Sequence, residues 1–109
     1  MKKYLKTADP KTFLKVEVYY SLGGINFATY QNEPRGYYLS VSPVERETIG
    51  GYVYESYVAL SGVKRLVKPV SRKGKKAEQE AMLLAESCES ALVNHVLGKS
   101  GLALAGGAA

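Results

Sequence analysis

The chain has 109 residues, of which 46 % are apolar, and it carries a net charge of +5. Such a chain fits one domain with a modest core, is too apolar for intrinsic disorder, and has no apolar run near the ~20 residues that span a bilayer. Charged residues after Met1 interrupt any hydrophobic secretory segment. The single cysteine excludes an internal disulfide. We therefore expect a cytoplasmic protein.

Residues 1–12 are polar and rich in lysine, which predicts a flexible N-terminal arm with a short strand around Tyr4. Apolar and polar residues then alternate over 13–21, as in a half-buried strand. One predicted face holds Leu14, Val16, Val18 and Tyr20, and the other holds Lys15, Glu17, Tyr19 and Ser21. The pair Gly23-Gly24 interrupts this pattern, and a bend within one strand and a plain hairpin turn explain it equally well.

Three further strands are predicted downstream. Residues 37–44 alternate again after a turn, and Pro43 marks a sheet edge or a strand end because it cannot donate to a ladder. A polar turn over 45–51 precedes a strand at 52–60, and a tight turn at 61–62 precedes a basic strand at 63–70. We expect the four strands to form an antiparallel meander.

From Ala77 onward the apolar residues recur at spacings of three and four, which predicts an amphipathic helix. Its apolar stripe consists of Ala77, Ala81, Leu84, Ala85, Cys88, Ala91, Leu92, His95 and Val96. Gly98 is predicted to end the helix, and residues 99–109 to form a flexible tail. The predicted fold is therefore α+β, with a single domain over 13–98 in which the meander precedes one C-terminal helix. One helix covers one face of the sheet, so the other face meets solvent, a second copy or a ligand.

The sequence offers little catalytic chemistry. His95 and Cys88 lie seven residues apart on the helix, and the resulting ~10 Å is too long for a nucleophile–base pair. We expect His95 to be a core or interface residue and Cys88 a small buried one. Paired carboxylates, a P-loop and a set of metal ligands are not evident in the sequence. We therefore expect a protein that is not an enzyme and that uses no cofactor or metal.

Positive charge is concentrated in one part of the chain, which we call the basic segment. It contains no acidic residue and seven cations: Lys64, Arg65, Lys68, Arg72, Lys73, Lys75 and Lys76. The last four gather where the helix begins, although a helix N-terminus is already partly positive. Free N–H groups and lysine side chains at such a place suit a phosphate. A solvated basic loop, partly offset by Glu78 and Glu80, is the alternative.

The second distinctive feature is the set of nine tyrosines. Strand alternation predicts that Tyr19, Tyr38 and Tyr57, from three different strands, lie on the sheet face opposite the helix. Aromatic side chains on an open sheet stack on unpaired bases, with ~1–3 kcal/mol per base. Tyrosine is also a favoured strand residue, and an aromatic face suits a homodimer interface, so both roles compete with base stacking.

Over residues 13–98 the chain resembles the single-stranded-DNA-binding domains of the transcriptional-coactivator and Whirly type. The resemblance lies in the order of elements, which is four strands, a basic stretch and one long helix. The nearest motif is Lys73-Gly74-Lys75-Lys76-Ala77. The Lys-Gly-Lys-Ala-type motif of the Whirly group lies in a strand, whereas here it precedes the helix, so no residue role is carried over. The resemblance implies a dimer that binds single strands across a basic β-surface.

These features together predict a sequence-tolerant, single-stranded nucleic-acid-binding protein that acts as a homodimer. Phosphates would contact the basic segment, and bases would stack on Tyr19, Tyr38 and Tyr57. The alternative is a structural or protein-interaction domain that self-assembles through its tyrosine-rich face and its helix. A small inhibitor of another protein would need a partner that the sequence does not indicate.

Overall fold

The computed structural model describes residues 1–27, 29–58 and 62–106. The described residues form seven strands and one helix: β1 (Lys2–Lys6), β2 (Thr12–Ser21), β3 (Gly24–Asn26), β4 (Gln31–Glu33), β5 (Gly36–Ile49), β6 (Tyr52–Tyr57), β7 (Val63–Pro69) and α1 (Lys75–Ser100). The prediction of an antiparallel sheet followed by one helix is confirmed. The predicted number of four strands is wrong, because short strands also form at the N-terminus and between β2 and β5.

The main sheet is built around β5. On one side β5 pairs with β2, which in turn pairs with β1, and both pairings are antiparallel. On the other side β6 pairs with the second half of β5 and β7 pairs with the first half. The predicted meander is therefore wrong in its last step, since β7 lies beside β5 and not beside β6. With 14 residues, β5 is long enough to pair with both strands end to end.

Pro43 lies inside β5, which has partner strands on both sides, so both predicted alternatives, a strand end and a sheet edge, are wrong. Its C=O accepts a hydrogen bond of 3.0 Å from the N–H of Val58, so its backbone groups face the side where β6 and β7 lie. Because proline has no N–H, that ladder lacks a donor at this point, which coincides with the gap between β6 and β7. Residues 59–61, which belong to the predicted third strand and the turn after it, lie outside the described residues.

The predicted turn over 45–51 is much shorter in the structure. Glu45–Ile49 continue β5 and pair with β6, and only Gly50 and Gly51 remain in the turn. Their φ values of 60° and 84° are those that a two-residue hairpin turn requires, which glycine adopts without strain.

The pair Gly23-Gly24 forms neither a bulge within β2 nor the turn of a hairpin. It leads the chain out of β2 and into β3, which pairs with β4 in a separate two-stranded sheet. The expected alternatives are both wrong because the turn of this hairpin lies after Asn26, where the N–H of Tyr30 donates to the C=O of Asn26 at 2.7 Å.

The core lies between α1 and one face of β2 and β5. The strands contribute Leu14, Val16, Val18, Tyr37, Leu39 and Val41, and the helix contributes Ala81, Ala85, Leu92, Val93 and Val96. The predicted division of both strands into two faces is thus confirmed, because successive side chains of a strand point to opposite sides. We call these two sides the covered face and the open face.

The helix ends two residues beyond Gly98, the predicted stop. It passes through Gly98 to Ser100, and Gly101 adopts the left-handed conformation, with φ 71°, that ends the helix. The prediction that Gly98 is the stop is therefore wrong. Although α1 has 26 residues, no helix in the described ranges is long and apolar enough to cross a membrane.

The buried side of α1 is rotated relative to the predicted stripe. Ala91 and His95 are exposed, whereas Val93, which the stripe did not include, is buried. A core position for His95 is therefore wrong. The reason is that this side of the helix lies at the edge of the sheet, where Ala91 and His95 line an open recess beside Val63, Lys64 and Arg65 of β7.

Residues 104–105 of the predicted tail pair with the chain at the end of β1. This strand lies within the segment predicted to be an arm and pairs with β2 along its whole length. Within the predicted tail, Leu104 forms a bridge with Thr7, and the N–H of Ala105 donates to the C=O of Lys6 at 3.0 Å. Residues 107–109 of the tail lie outside the described residues.

Candidate functional site

A groove crosses the open face of the main sheet. Its volume is about 390 Å³, and it is lined by Tyr19, Ser40, Ser42, Pro43, Tyr57, Gly62, Val63 and Lys64. The short side chains of Ser40 and Ser42 lie on the central strand β5. The larger side chains come from strands on either side, Tyr19 from β2 and Tyr57 from β6. The groove therefore has a small polar centre and aromatic flanks.

The three predicted tyrosines share the open face but differ in exposure. Tyr57 is 61 % exposed, Tyr19 is half-buried and Tyr38 is only 5 % exposed. The rings of Tyr19 and Tyr38 stack with their centroids 5.9 Å apart, and the Tyr38 hydroxyl donates to the C=O of Pro34 at 2.6 Å. Burial raises the pKa of both Tyr19 and Tyr38, so both stay protonated near neutral pH. Tyr38 is thus inaccessible to a base and instead supports Tyr19.

Lys64 lies at the rim of the groove and is paired with Glu33. Its Nζ is 2.7 Å from a carboxylate oxygen of Glu33, which belongs to β4. This hydrogen bond raises the pKa of Lys64 and lowers the pKa of Glu33. Sequence reasoning missed Glu33, because the strand pattern does not show that the β3–β4 hairpin reaches over β7. Since the pair is partly exposed, a phosphate can replace the carboxylate at moderate cost.

A second polar cluster borders the groove and is centred on Glu55. This carboxylate accepts hydrogen bonds from the Tyr4 hydroxyl at 2.5 Å and from Lys15 at 2.9 Å, and Lys15 also donates to the Tyr57 hydroxyl at 3.2 Å. The bond from Tyr4 and then that from Lys15 lower the pKa of Glu55, and the bond to Glu55 raises the pKa of Lys15. The guanidinium of Arg46 lies over the Tyr4 ring, 4.1 Å from its centroid. The cluster therefore holds Tyr57 in place at the groove.

The Glu55 cluster was only partly visible in the sequence. Alternation placed Lys15 on the open face and Glu55 on the same side of its strand as Tyr57. Their contact depends on the register, in which Lys15 lies opposite Ser42 and Glu55 lies opposite Arg46. A pattern within single strands contains no information on this register.

The seven cations of the basic segment do not share one surface. Lys64 faces the groove, whereas Arg65 and Lys68 lie on the helix side of β7, where Lys68 pairs with Glu80 at 2.9 Å. The other four are exposed and surround the start of α1: Arg72, Lys73, Lys75 and Lys76. The basic segment thus follows the outer edge of β7 from the groove to the helix start, a path of ~20 Å along the strand.

At the start of α1, exposed cations surround a helix N-terminus, as the sequence predicted. Gly74 precedes the helix without a side-chain cap, and Glu78 is the acidic residue of the first turn. Tyr37 anchors this point from the covered face: its hydroxyl accepts from the N–H of Gly74 and donates to the C=O of Gly74, both at 3.2 Å. Exposed cations and free helix N–H groups therefore occur together here.

Other reactive side chains are scattered. Cys88 is partly buried on α1, with its sulfur 3.4 Å from the C=O of Leu84, and His95 lies exposed two turns further on. Among the residues that the structure describes, no group of three or more His, Cys, Asp or Glu side chains is arranged to hold a metal ion.

Protein-family models, curated proteins and solved structures give no match to this chain. The resemblance to single-stranded-DNA-binding domains of the Whirly type therefore stays a prediction.

Proposed function

We propose that this protein binds single-stranded nucleic acid without catalysis and places bases in the groove of the open face. The observation that carries the proposal is the groove itself, where the rings of Tyr19 and Tyr57 flank the small side chains of Ser40 and Ser42. Base–aromatic stacking contributes ~1–3 kcal/mol per base and tolerates any sequence. The serine hydroxyls both donate and accept, so they suit the polar edge of any base.

The basic segment supplies the phosphate contacts in this proposal. Lys64 at the groove rim, Lys68 on β7 and the four cations at the helix start mark a path for the backbone of the strand. Glu33 and Glu80 hold two of these lysines in the free protein. A phosphate replaces each carboxylate, so the number of ion pairs is conserved when the ligand binds.

Self-association is the second candidate function, and two exposed hairpins favour it. The β5–β6 hairpin carries Ile49, Tyr52 and Tyr54 on one side, each more than half exposed. The β3–β4 hairpin carries exposed Ile25 and Phe27. Clustered apolar side chains on a surface mark sites of interaction. A homodimer formed through either hairpin is compatible with nucleic-acid binding, and we include it in the proposal.

A salt titration tests the proposed function. Fluorescence anisotropy of labelled single- and double-stranded oligonucleotides is measured against the full chain at increasing salt. We expect tighter binding to the single strand, with a slope of log affinity against log salt of ~−0.7 per phosphate contact. Affinity that does not depend on salt, or no binding at low salt, would contradict the proposal. Light scattering over the same concentrations measures self-association separately.

The four cations at the helix start provide a matched test of the phosphate path. Replacing Arg72, Lys73, Lys75 and Lys76 by Ala is expected to weaken binding and to reduce the salt slope by ~0.7 per lost contact. Circular dichroism should remain that of the native protein, because all four side chains are exposed. An unchanged slope would show that the nucleic acid does not reach the helix start.

A further inference from the structure

The strand β6 forms an exposed edge of the main sheet. Its inner side pairs with β5, and no strand in the described ranges pairs with its outer side. Every residue of this strand, Tyr52–Tyr57, is exposed. An edge of this kind presents a row of N–H and C=O groups with which another strand can pair.

The pairing with β5 determines which backbone groups face outward. The N–H of Val58 donates to the C=O of Pro43, so alternate residues of β6 counted back from Val58 direct their backbone groups toward β5. The residues between them direct theirs to the other side. The N–H and C=O groups of Val53, Glu55 and Tyr57 therefore face outward.

The β6 edge lacks the features that protect the other edge strands of the main sheet. The strands β1 and β7 each carry three lysine or arginine residues, whereas β6 carries none. Lysine, proline and bulges on an edge are means by which proteins prevent edge-to-edge pairing. Pro69 ends β7, and the pairing of β7 shifts in register, but β6 has no proline and pairs without a shift. Nothing in the composition of β6 therefore opposes the addition of a strand.

Charge indicates what kind of strand fits this edge. Glu55 is the one charged residue of β6, and its carboxylate already accepts hydrogen bonds from Tyr4 and Lys15. A basic or acidic peptide finds no free counter-charge along the strand. A second β6 brings the same aromatic and β-branched side chains, which favour strand pairing, and the same outward-facing backbone groups. The strand is therefore suited to pairing with itself.

We propose that two copies of the chain pair through β6, antiparallel and related by a two-fold axis perpendicular to the sheet. Opposed side chains in an antiparallel pair share a face, so this axis passes through a residue and not between two. Tyr54 and Glu55 are central in β6, and an axis on either gives the longest overlap. An axis on Glu55 opposes two carboxylates, which is unfavourable. An axis on Tyr54 instead places Val53 in a hydrogen-bonded pair with Glu55 of the second copy.

Pairing at Tyr54 also brings together the exposed apolar side chains of the two β5–β6 hairpins. Ile49, Tyr52 and Tyr54 lie on one side of each hairpin, and each is more than half exposed. The axis keeps the two sets on the same face, where they form one continuous strip. Such a strip removes apolar surface from water, which favours association.

The groove stays open in this dimer. Tyr57 comes to lie opposite Gly51 of the second copy, which has no side chain to cover it. Two five-stranded sheets become continuous, and both grooves lie on the same face. The two Tyr57 residues are then six positions apart along the ladder, ~20 Å. This proposal rests on the self-association included in the proposed function, and it names the strand edge that carries it.

A disulfide between two copies tests the register. Directly opposed residues of a non-hydrogen-bonded pair have Cα atoms ~4.5 Å apart, which is within the range of a disulfide. Tyr54→Cys, in a Cys88→Ser background, should therefore crosslink to itself on mild oxidation. Tyr52→Cys in the same background is the matched control, because four positions, ~14 Å, separate the two copies of this residue. Equal crosslinking of both variants on a non-reducing gel, or none in Tyr54→Cys, would overturn the proposal.

Analytical ultracentrifugation of the full chain tests the edge itself. Val53→Pro removes an outward-facing N–H and no hydrogen bond to β5, so it should weaken dimerisation about tenfold or more while circular dichroism stays native. Phe27→Ser changes an exposed residue of the β3–β4 hairpin and should leave the dimer unchanged. A native chain that is monomeric at about 1 mM, or a dimer that Phe27→Ser alone disrupts, would overturn the proposal.

Oligonucleotide binding separates this proposal from nucleic-acid binding. Val53 does not line the groove, so Val53→Pro should bind a short oligonucleotide at one groove as the native chain does. Crosslinking of Tyr54→Cys in a chain that binds no oligonucleotide would contradict nucleic-acid binding and support the dimer. Oligonucleotide binding by a native chain that neither dimerises nor crosslinks would overturn the dimer alone.

Discussion

The two faces of β5 differ in what covers them, although one alternating pattern builds both. Tyr37 and Tyr38 are neighbours in this strand and are both buried. Tyr37 points to the covered face and holds Gly74 at the start of α1, whereas Tyr38 points to the open face and holds Pro34 beside the β3–β4 hairpin. Each tyrosine thus fixes a different element on the sheet. Beyond Tyr38 the open face continues with two serines, and there the groove forms.

The open face and the start of α1 differ in whether their cations are paired with carboxylates. On the open face Lys15 and Lys64 are held by carboxylates, each within 3 Å. The four cations that surround the helix start take part in none of the ion pairs within the described ranges. Binding of an anion on the open face is therefore an exchange of partners, whereas at the helix start it adds a partner. We expect the helix start to dominate the salt dependence and the groove to dominate stacking.

The largest expected effect is on the free energy of unfolding, and it distinguishes the two faces of β5. Leu39 lies on the covered face with 0 % exposure, so Leu39→Ala should lower the free energy of unfolding by ~2–5 kcal/mol. Ser40→Ala, on the open face of the same strand, should change it by no more than ~0.5 kcal/mol. Urea denaturation measures both. Equal losses in the two variants would show that both faces of β5 contribute equally to the core.

A smaller effect separates the groove from the exposed hairpin. Tyr57→Ala should remove ~1–3 kcal/mol of the binding free energy for a single-stranded oligonucleotide, because it removes one stacking ring. Tyr52→Ala is the matched control, since Tyr52 lies on the same strand, is 71 % exposed and points to the other side. Anisotropy at one low salt concentration compares them. A loss in Tyr52→Ala alone would place the ligand on the hairpin and not in the groove.

The sequence was sufficient where the determining pattern is local. The faces of β2 and β5 follow from alternation, and the positions of Tyr19 and Tyr57 on the open face follow from it as well. The strand neighbours did not follow, because β7 pairs with β5 only beyond the point where β6 ends opposite Val44, next to Pro43. The length of β5 could not be predicted either, because a polar composition after Pro43 is typical of a turn as well as of an exposed hairpin.

The partners of the candidate site were the hardest to predict. Glu33 reaches Lys64 across 31 residues of chain, and Tyr4 reaches Glu55 across 51. Contacts of this kind depend on tertiary placement and on register, which no periodicity encodes. The exposure of Ala91 was missed because a helical stripe indicates which residues are apolar but not how wide a surface the sheet covers.

The smallest expected effect concerns pH. The hydrogen bonds from Tyr4 and Lys15 hold the pKa of Glu55 below its ordinary value of 4.5. The unfolded chain therefore takes up a proton at this group before the folded chain does, so its contribution to stability is present above that value and is lost as the pH falls through the lowered pKa. Because the cluster is partly exposed, the contribution is small.

Thermal unfolding from about pH 6 to about pH 3 measures this contribution. The Tm of the native chain should fall more steeply than that of Glu55→Gln, whose side chain keeps its shape but does not titrate. Glu47→Gln removes an exposed carboxylate outside the cluster and is the control for the change in net charge. A different outcome is that Tm falls with pH at the same slope in the native chain, in Glu55→Gln and in Glu47→Gln, so that the curves differ only by a constant offset in Tm. The hydrogen bonds around Glu55 would then position Tyr57 without stabilising the fold. In that case the open face would be organised for binding alone, and the covered face would supply the stability of the domain.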